Sequence, residues 1–471
     1  MGNPILVPNL AGGTFDFNNP NGGGITANSI RYDAKDKATS KFTILDAKLS
    51  GEFMQMAGGG AGFAVGVEYR KEDRLVTPDA QKIRGNVFGR GVASAVGDRN
   101  VSTLYGELVM PILKNVEVQA ALRYDRYSDY GKSLTPKLAA AWSPLANLKF
   151  RGSFARGFRA PSLTEITRSS TSGFFNGVDD PRRCNRAVGI TIGCGLSIPG
   201  LIEAFPGVQP EKAETYSGGF VWDVSANTNA TVDYFSITRR NEISFLSLTE
   251  ILNNEGSTQP LFANRVVRDP ANTSTQVTND PGAILFVRTA FSNLGKTTVR
   301  GFDLDVRHRM SLGEYGRLNL QFVGTRYTEQ RSSGTPTSPQ TSFHGYRNAP
   351  QWRAQFVANW NVGNWNNRAA VNTLAPFKVH ANPENGGTAL TQSLTCGTPT
   401  GPTVGICTVA TYVTVDASTE YTGFKNLRLS FAVRNLANSR PSNDPLARPY
   451  NTAWYQPQGI NFVLSARYTF W

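Results

Sequence analysis

Apolar and polar residues alternate with a period of two along nearly the whole chain. In 115–127, Val116, Val118, Ala120, Leu122 and Tyr124 interleave with Glu117, Gln119, Ala121, Arg123 and Asp125. Trp352, Ala354, Phe356, Ala358, Trp360 and Val362 do the same against Arg353, Gln355, Val357, Asn359 and Asn361. The last run sets Ile460, Phe462, Leu464, Ala466, Tyr468 and Phe470 against Asn461, Val463, Ser465, Arg467 and Thr469. Successive side chains of a strand point to opposite faces, so these runs predict strands with one apolar and one polar face. About fifteen are predicted, near 42–56, 62–74, 100–111, 115–127, 132–143, 147–158, 211–223, 228–240, 285–309, 315–329, 350–362, 365–378, 410–423, 427–436 and 458–471.

The connections alternate in length. Short links such as "AGGGA", "PILKN", "SPLAN" and "GFK" are followed by long ones, the largest being 159–210, 241–284, 330–349, 379–409 and 437–457. Short turns at one end and long loops at the other are the signature of an antiparallel transmembrane β-barrel of the outer-membrane type. Trp142, Trp222, Trp352, Trp360, Trp365 and Trp471 fall at or near strand ends, where an indole sits at headgroup level. A solenoid or propeller needs a fixed repeat, and none is found. No apolar stretch is long enough for a transmembrane helix.

On this reading the apolar face meets lipid and the polar face lines the lumen. Arg123, Lys137, Lys149, Arg151, Arg353, Arg434 and Arg467 are assigned to the lumen, with Glu68, Glu117, Asp303 and Asp305 opposing them. Composition adds an excess of 48 Lys+Arg over 35 Asp+Glu, a formal charge of +13. The cations are scattered without a run of five, so nucleic acid is not expected as a partner. The four cysteines form two close pairs, Cys184/Cys194 and Cys396/Cys407, each inside a long loop. Local disulfides are favoured over zinc, because His308, His344 and His380 lie far from them in sequence. No nucleophile–base set stands out, so no enzyme activity, no metal site and no cofactor are expected.

Two loop segments are candidate rim sites. In "SFARGFRAPSLTEI", Pro161 halts the strand and leaves Arg159 at the mouth. An architectural role for Arg159 is favoured over ligand contact. A complete S-x-x-E box is not expected there, and Ser162 or Thr164 is left to cap a short helical turn. In 437–457, Tyr450, Trp454 and Tyr455 stand beside Arg448. That combination suits a sugar, an aromatic or chelate ligand, lipopolysaccharide, or plain loop packing. "EISFLSLTEILNN" (242–254) reads as a short helix, and "AGGGAG" as a glycine turn rather than a phosphate cradle.

The segments "YGELVMPILKNVEVQAALRYDRYSDYGKSLTPKLAAAWSPLANLKFRGSFARGFRAPSLTEI", "VQPEKAETYSGGFVWD", "NLGKTTVRGFDLDV" and "LSFAVRNLANSRP" closely resemble the barrel of TonB-dependent outer-membrane receptors. The resemblance covers about 42–471. It implies a barrel of about 22 strands around an N-terminal plug, uptake of a scarce solute (siderophore, cobalamin, oligosaccharide or similar), and energy from TonB–ExbB–ExbD acting through that plug. It also implies contact with outer-membrane lipid or lipopolysaccharide and with the barrel-assembly machinery, for which Tyr468, Phe470 and Trp471 form the terminal assembly signal. The chain departs from the family pattern in showing no signal peptide, plug-like segment or TonB box, and in its lower strand count. It is therefore expected to be a C-terminal portion, with 1–41 a poorly ordered remnant of an extracellular loop and 42–471 the barrel. A passive porin-like barrel or a non-functional fragment is the alternative.

Overall fold

The computed structural model describes residues 32–84, 87, 91–259, 262–335, 338–346, 349–378, 408–441, 455 and 458–470. It opens with β1 (Lys37–Met56), β2 (Gly59–Thr77), β3 (Ala93–Leu113), β4 (Val116–Tyr127), β5 (Gly131–Leu145) and β6 (Leu148–Arg159). Then come β7 (Arg168–Val178), β8 (Leu196–Glu203), β9 (Glu211–Ser225), β10 (Thr228–Phe245), β11 (Val266–Asp269), β12 (Ala283–Ser311) and β13 (Arg317–Ser333). The last third holds β14 (Thr341–Ser342), β15 (Trp352–Val362), β16 (Trp365–Leu374), β17 (Phe377–Lys378), β18 (Thr408–Val409), β19 (Tyr412–Phe424), β20 (Leu427–Arg434) and β21 (Asn461–Tyr468). Three short helices interrupt them: α1 (Ala80–Ile83), α2 (Leu163–Ile166) and α3 (Leu248–Asn253).

Among the described residues the wall is a meander of fifteen antiparallel strands, β1-β2-β3-β4-β5-β6-β9-β10-β12-β13-β15-β16-β19-β20-β21. These are the fifteen alternating runs read from the sequence. The first begins at Lys37, five residues earlier than expected. β1 and β21 bound the sheet, each with one partner among the described residues.

Register fixes which residues share a face. Leu138 stands between Ala120 and Phe154, and Trp142 between Val116 and Phe150, on the outward side. Leu138, Trp142, Phe150, Trp222, Phe302, Phe322 and Phe356 are all substantially exposed, as a lipid-facing band requires. The opposite parity carries Arg123, Lys137, Arg151, Arg353, Arg434 and Arg467. The short turns use residues that tolerate the left-handed region, Gly363 (φ 52°) between β15 and β16 and Asn426 (φ 63°) between β19 and β20.

The long loops hold more structure than alternation predicts. Segment 159–210 contains α2 and the β7/β8 hairpin. β7 pairs with the start of β3, and β8 lies parallel to β12. In 241–284 the expected helix 242–254 shrinks to α3, because Glu242–Phe245 continue β10 against β12. Ser162 precedes α2, and its N–H donates to the Glu165 carboxylate at 2.6 Å. Ser162 and Glu165 thus have the S-x-x-E spacing after all, which corrects the expectation that the box is incomplete. A small apolar core forms outside the wall from Ile198, Leu246, Leu248, Ile251, Leu252, Val287 and Leu294.

The two faces predict opposite responses to charge. Leu138→Arg should cost about 2–4 kcal/mol because it puts a cation at mid-height in lipid. Its neighbour Lys137→Ala should change stability by no more than about 0.5 kcal/mol. Denaturant titration of the barrel folded into lipid bilayers measures both, and equal costs would overturn the facing assigned here.

Candidate rim and ligand cavity

Above the wall, the rim is held by arginines. Arg159 ends β6 and donates to Glu165 (Nη1–Oε2 3.1 Å) and Glu211 (Nη2–Oε1 2.8 Å). Glu211 opens β9 and also accepts from the Ile243 N–H of β10 at 2.8 Å. One guanidinium therefore joins the end of β6 to α2 and to the entry of β9, and through Glu211 to the last residues of β10. Arg99, which the sequence reading did not single out, fixes the turn from the other side. It is buried, with Nε 2.7 Å from Glu72 and Nη1 donating to the Pro161 carbonyl at 2.6 Å. The Tyr127 ring lies 5.5 Å from its guanidinium carbon. No local motif announces Arg99, since its partners lie 27 and 62 residues away.

A second network ties the two largest described loops together. Cys184 and Cys194 form a disulfide. Next to it, Asp180 is fully buried and takes both arms of Arg268 from β11, at 2.7 and 3.0 Å. Arg268 also donates to both Glu255 oxygens at 2.6 Å and to the Gly282 carbonyl at 2.8 Å. Arg183 pairs with Asp280 at 3.0 Å, with both side chains almost wholly enclosed. Burial works against the charge of Arg268, yet Glu255 and Asp180 hold it well above its usual range. Burial likewise opposes ionisation of Asp280, but the N–H groups of Gly282 and Ser274 and the Arg183 guanidinium keep its carboxyl below the ordinary range.

Inside the wall, near its long-loop end, a cavity of about 780 Å³ is lined by Arg353, Gln355, Asn372, Tyr412, Asp416 and Arg434, among others. Its amides are ordered by one another. Gln355 donates to Asn372 at 2.6 Å, Asn372 to Asp416 at 2.9 Å, and the Asn435 N–H to the other Asp416 oxygen at 2.9 Å. Asp416 is thereby engaged with amides, and neither Arg353 nor Arg434 has an ion pair among the described residues. Other lumen arginines differ. Arg123 pairs with Asp125 at 2.9 Å, and Arg151 Nε reaches Asp233 at 2.9 Å. Lys137 is exposed on the inner face, and Arg467 stands opposite Arg428 at the other end of the wall.

The candidates from the last long loop divide. Tyr455 is buried, its ring centroid 5.0 Å from Tyr412 and 6.3 Å from Phe377, which is the loop-packing arrangement among the alternatives the sequence leaves open. Arg448, Tyr450, Trp454, Cys396, Cys407 and Trp471 lie outside the described residues. Tyr468 and Phe470 sit on the outward parity with ring centroids 5.1 Å apart.

Breaking the loop clamp should act locally. Arg268→Met leaves the buried Asp180 without its cation and Glu255 with only Arg182, 3.6 Å away, and should cost about 3–5 kcal/mol. Hydrogen exchange should quicken in 179–195 and 246–283 and stay unchanged in β2–β6. Asp280 titrates lower when folded than when unfolded, so its contribution is complete above the ordinary value of 3.8 and is lost as pH falls below it. Loop protection in the unmodified protein, corrected for the intrinsic pH dependence of amide exchange, should therefore fall only in that acid range. A loss of corrected protection on going from neutral to higher pH would contradict the assignment.

Comparison with known proteins agrees with this geometry. A family model described as TonB dependent receptor-like, beta-barrel, matches residues 9–436. The siderophore receptor PirA from Acinetobacter baumannii superposes with a TM-score of 0.62 at 14% identity, over 92% of this chain and 55% of that one. A mutant of the ferric enterobactin receptor PfeA from Pseudomonas aeruginosa gives 0.61 at 15%, over 92% and 54%. A double mutant of the Serratia marcescens hemophore receptor HasR, in complex with HasA and heme, gives 0.56 at 14%, over 92% and 60%. The chain thus spans somewhat more than half the length of these receptors, and at such identities the likeness is one of fold. No curated protein sequence matches. With the family model covering most of the chain and the strand order, facing and loop asymmetry in agreement, this chain belongs to the TonB-dependent receptor β-barrel family of the outer membrane.

Proposed function

We propose that the chain forms the wall and outer loops of a receptor that captures a scarce anionic solute, most simply a metal chelate, for TonB-energised import. One observation supports the ligand class. The cavity under the mouth presents Arg353 and Arg434 without a carboxylate partner among the described residues, beside amides that are already ordered. A dry or neutral ligand would leave two cations uncompensated, whereas carboxylate, catecholate or phosphate groups use the planar donor fork of arginine. Neutral oligosaccharides fit this pair less well.

In this reading, Arg159 and the Arg268 clamp shape the mouth and do not touch solute. Of residues 1–41, those before β1 would contribute to an outer loop, and 37–41 already belong to the strand. Energy would reach the bound solute from TonB–ExbB–ExbD through a plug domain of the full-length receptor, after folding by the barrel-assembly machinery.

Two measurements test this. In cells carrying the gene in its genomic context, uptake of the cognate ferric chelate should vanish when TonB is deleted, and uptake that survives would favour a passive channel. Replacing both arginines, Arg353→Gln with Arg434→Gln, should weaken binding of an anionic chelate by about tenfold or more, the equivalent of one charged hydrogen bond. Tryptophan-fluorescence titration reads the change, and unchanged affinity would remove the cavity from the binding site.

A further inference from the structure

Charge is unevenly shared around the inner wall. From β2 to β12 the inward arginines meet carboxylates: Arg70 pairs with Glu68 and Glu72, Arg123 with Asp125, Arg151 with Asp233 and Arg307 with Asp305. The wall strands β15, β16, β19, β20 and β21 hold five arginines and no lysine: Arg353, Arg368, Arg428, Arg434 and Arg467. All five have inward parity and are exposed, and none has an ion pair among the described residues. The same strands hold two carboxylates, and amides already occupy both. Asp416 accepts from Asn372 and Asn435, and Glu420 accepts from Asn366 at 3.4 Å.

The five arginines form a descending series. Arg353 shares a rung with Leu374 and Tyr412, and Arg434 borders the same cavity. Arg368 lies lower, level with Asn359 and Ser418, and the rung below it carries Asn361, Asn366, Glu420, Ser430 and Ser465. Lower still, Arg428 and Arg467 stand directly opposite each other. Eight residues of β19 separate Tyr412 from Glu420. At about 3.3 Å per residue and a tilt of about 40°, that is a drop of about 20 Å, most of the height of an outer-membrane apolar band. A wet lumen alone does not ask for such a series. Water accepts side chains of either sign, and two cations directly opposite across a ladder repel each other. Arg428 and Arg467 keep that repulsion with no described carboxylate to relieve it.

We infer that β15–β21 form an anion track down one side of the lumen, along which an acidic solute leaving the Arg353–Arg434 cavity passes Arg368 and reaches the Arg428–Arg467 pair at the short-turn end. The track extends the capture site and rests on the anionic solute proposed for it. Fixed cations lining a path select anions, and passage needs several weak sites in series rather than one deep one. Inward rungs of one strand are about 7 Å apart, so a chelate with several acidic groups can touch the next arginine before it leaves the last. Exposure keeps each step weak, because water competes for the guanidinium at every level. The neighbouring amides are tied to one another or to Asp416 and Glu420, which leaves the arginines as the groups that face the solute.

The test uses the full chain folded into lipid bilayers, with a nitroxide carried by a genetically encoded ketone at Ser418 or Ser465 on the track, or at Thr231 on the balanced side. Ser465 and Thr231 both face inward, three residues above the short-turn ends of their strands. Tris(oxalato)chromate(III), a trianionic chelate, should relax the labels at Ser418 and Ser465 at least about tenfold more than the label at Thr231, after scaling by a neutral nickel chelate. Equal scaled relaxation at the three positions would overturn the track, whether or not any variant inserts. Arg368→Gln/Arg428→Gln/Arg467→Gln should abolish the difference at Ser465, and a difference that persists would overturn the assignment to these arginines. Arg353→Gln/Arg434→Gln should leave it in place even if that variant also leaves chelate affinity unchanged, so failure of the capture site and failure of the track are told apart. Loss of the Ser465 difference in that double variant would reduce the track to the cavity and overturn it. In cells carrying the gene in its genomic context, the triple variant should leave vancomycin sensitivity unchanged. A rise would assign the arginines to holding the plug in place and overturn the track.

Discussion

Backbone hydrogen bonding without water dictates this structure. In hydrocarbon, each N–H and C=O of a spanning segment must find a partner within the protein, and a β-segment can do so only in its neighbours. The fifteen wall strands accordingly pair in sequence order, each reversing on the last, with short turns at one end. Once pairing is fixed, side-chain parity is fixed too, because a one-residue slip would carry every charge of a strand into lipid. The glycine and asparagine turns serve the same constraint, since they let strands reverse within two residues and keep the register between neighbours.

Beyond the membrane a different logic takes over. Water returns, and long loops no longer need the ladder, yet the described part of the outer cap is folded almost as a soluble domain would be. Ile198, Ile251, Leu252 and Val287 are buried together, and two arginines are sunk beside carboxylates. The disulfide shortens the unfolded reach of its own hairpin only, since it spans ten residues. Joining that hairpin to the loop after β10 falls to Arg268 and Arg183, whose acceptors Asp180 and Asn272 lie 88 and 89 residues away. The cap is thereby coupled to the wall at β12, which reaches upward past the lipid to pair with β8 and β11.

This division explains what was legible in the sequence. Wall strands were legible because lipid on one side and water on the other imprint a period of two, as in Val116–Tyr124 or Phe462–Phe470. β7, β8 and β11 were not, since they pair in water, with mixed faces such as "RSSTSGFFNGV", and their existence depends on distant partners. Glu242–Phe245 was read as helix because "EISFLSLTEILNN" is locally ambiguous and Gly295–Phe291 of β12 decides it. The rim arginine Arg159 was visible from the Pro161 break. Arg99, Arg183 and Arg268 were not, because an ion pair across tens of residues leaves no spacing to read. Tyr455 stayed ambiguous for a related reason: an aromatic beside a cation in the sequence reads alike whether it meets ligand or packs on Tyr412 and Phe377, as its ring does.

The distribution of paired and unpaired arginines is the most informative feature that remains. A buried arginine has to be matched, and Arg99, Arg183 and Arg268 each are, at 2.6–3.0 Å. An exposed one in a wet lumen has no such obligation, because high dielectric makes an isolated charge inexpensive. Lack of a partner at Arg353 or Arg434 is thus weak evidence when each is taken alone. It gains weight from their shared cavity, where Asp416 is close by and is nonetheless committed to Asn372 and Asn435. The outer face differs, since there Glu214 pairs with both Arg156 and Arg240, at 3.5 and 3.6 Å. If the proposed anionic solute enters the lumen cavity, Arg353 and Arg434 are the cations there that no described carboxylate has already taken.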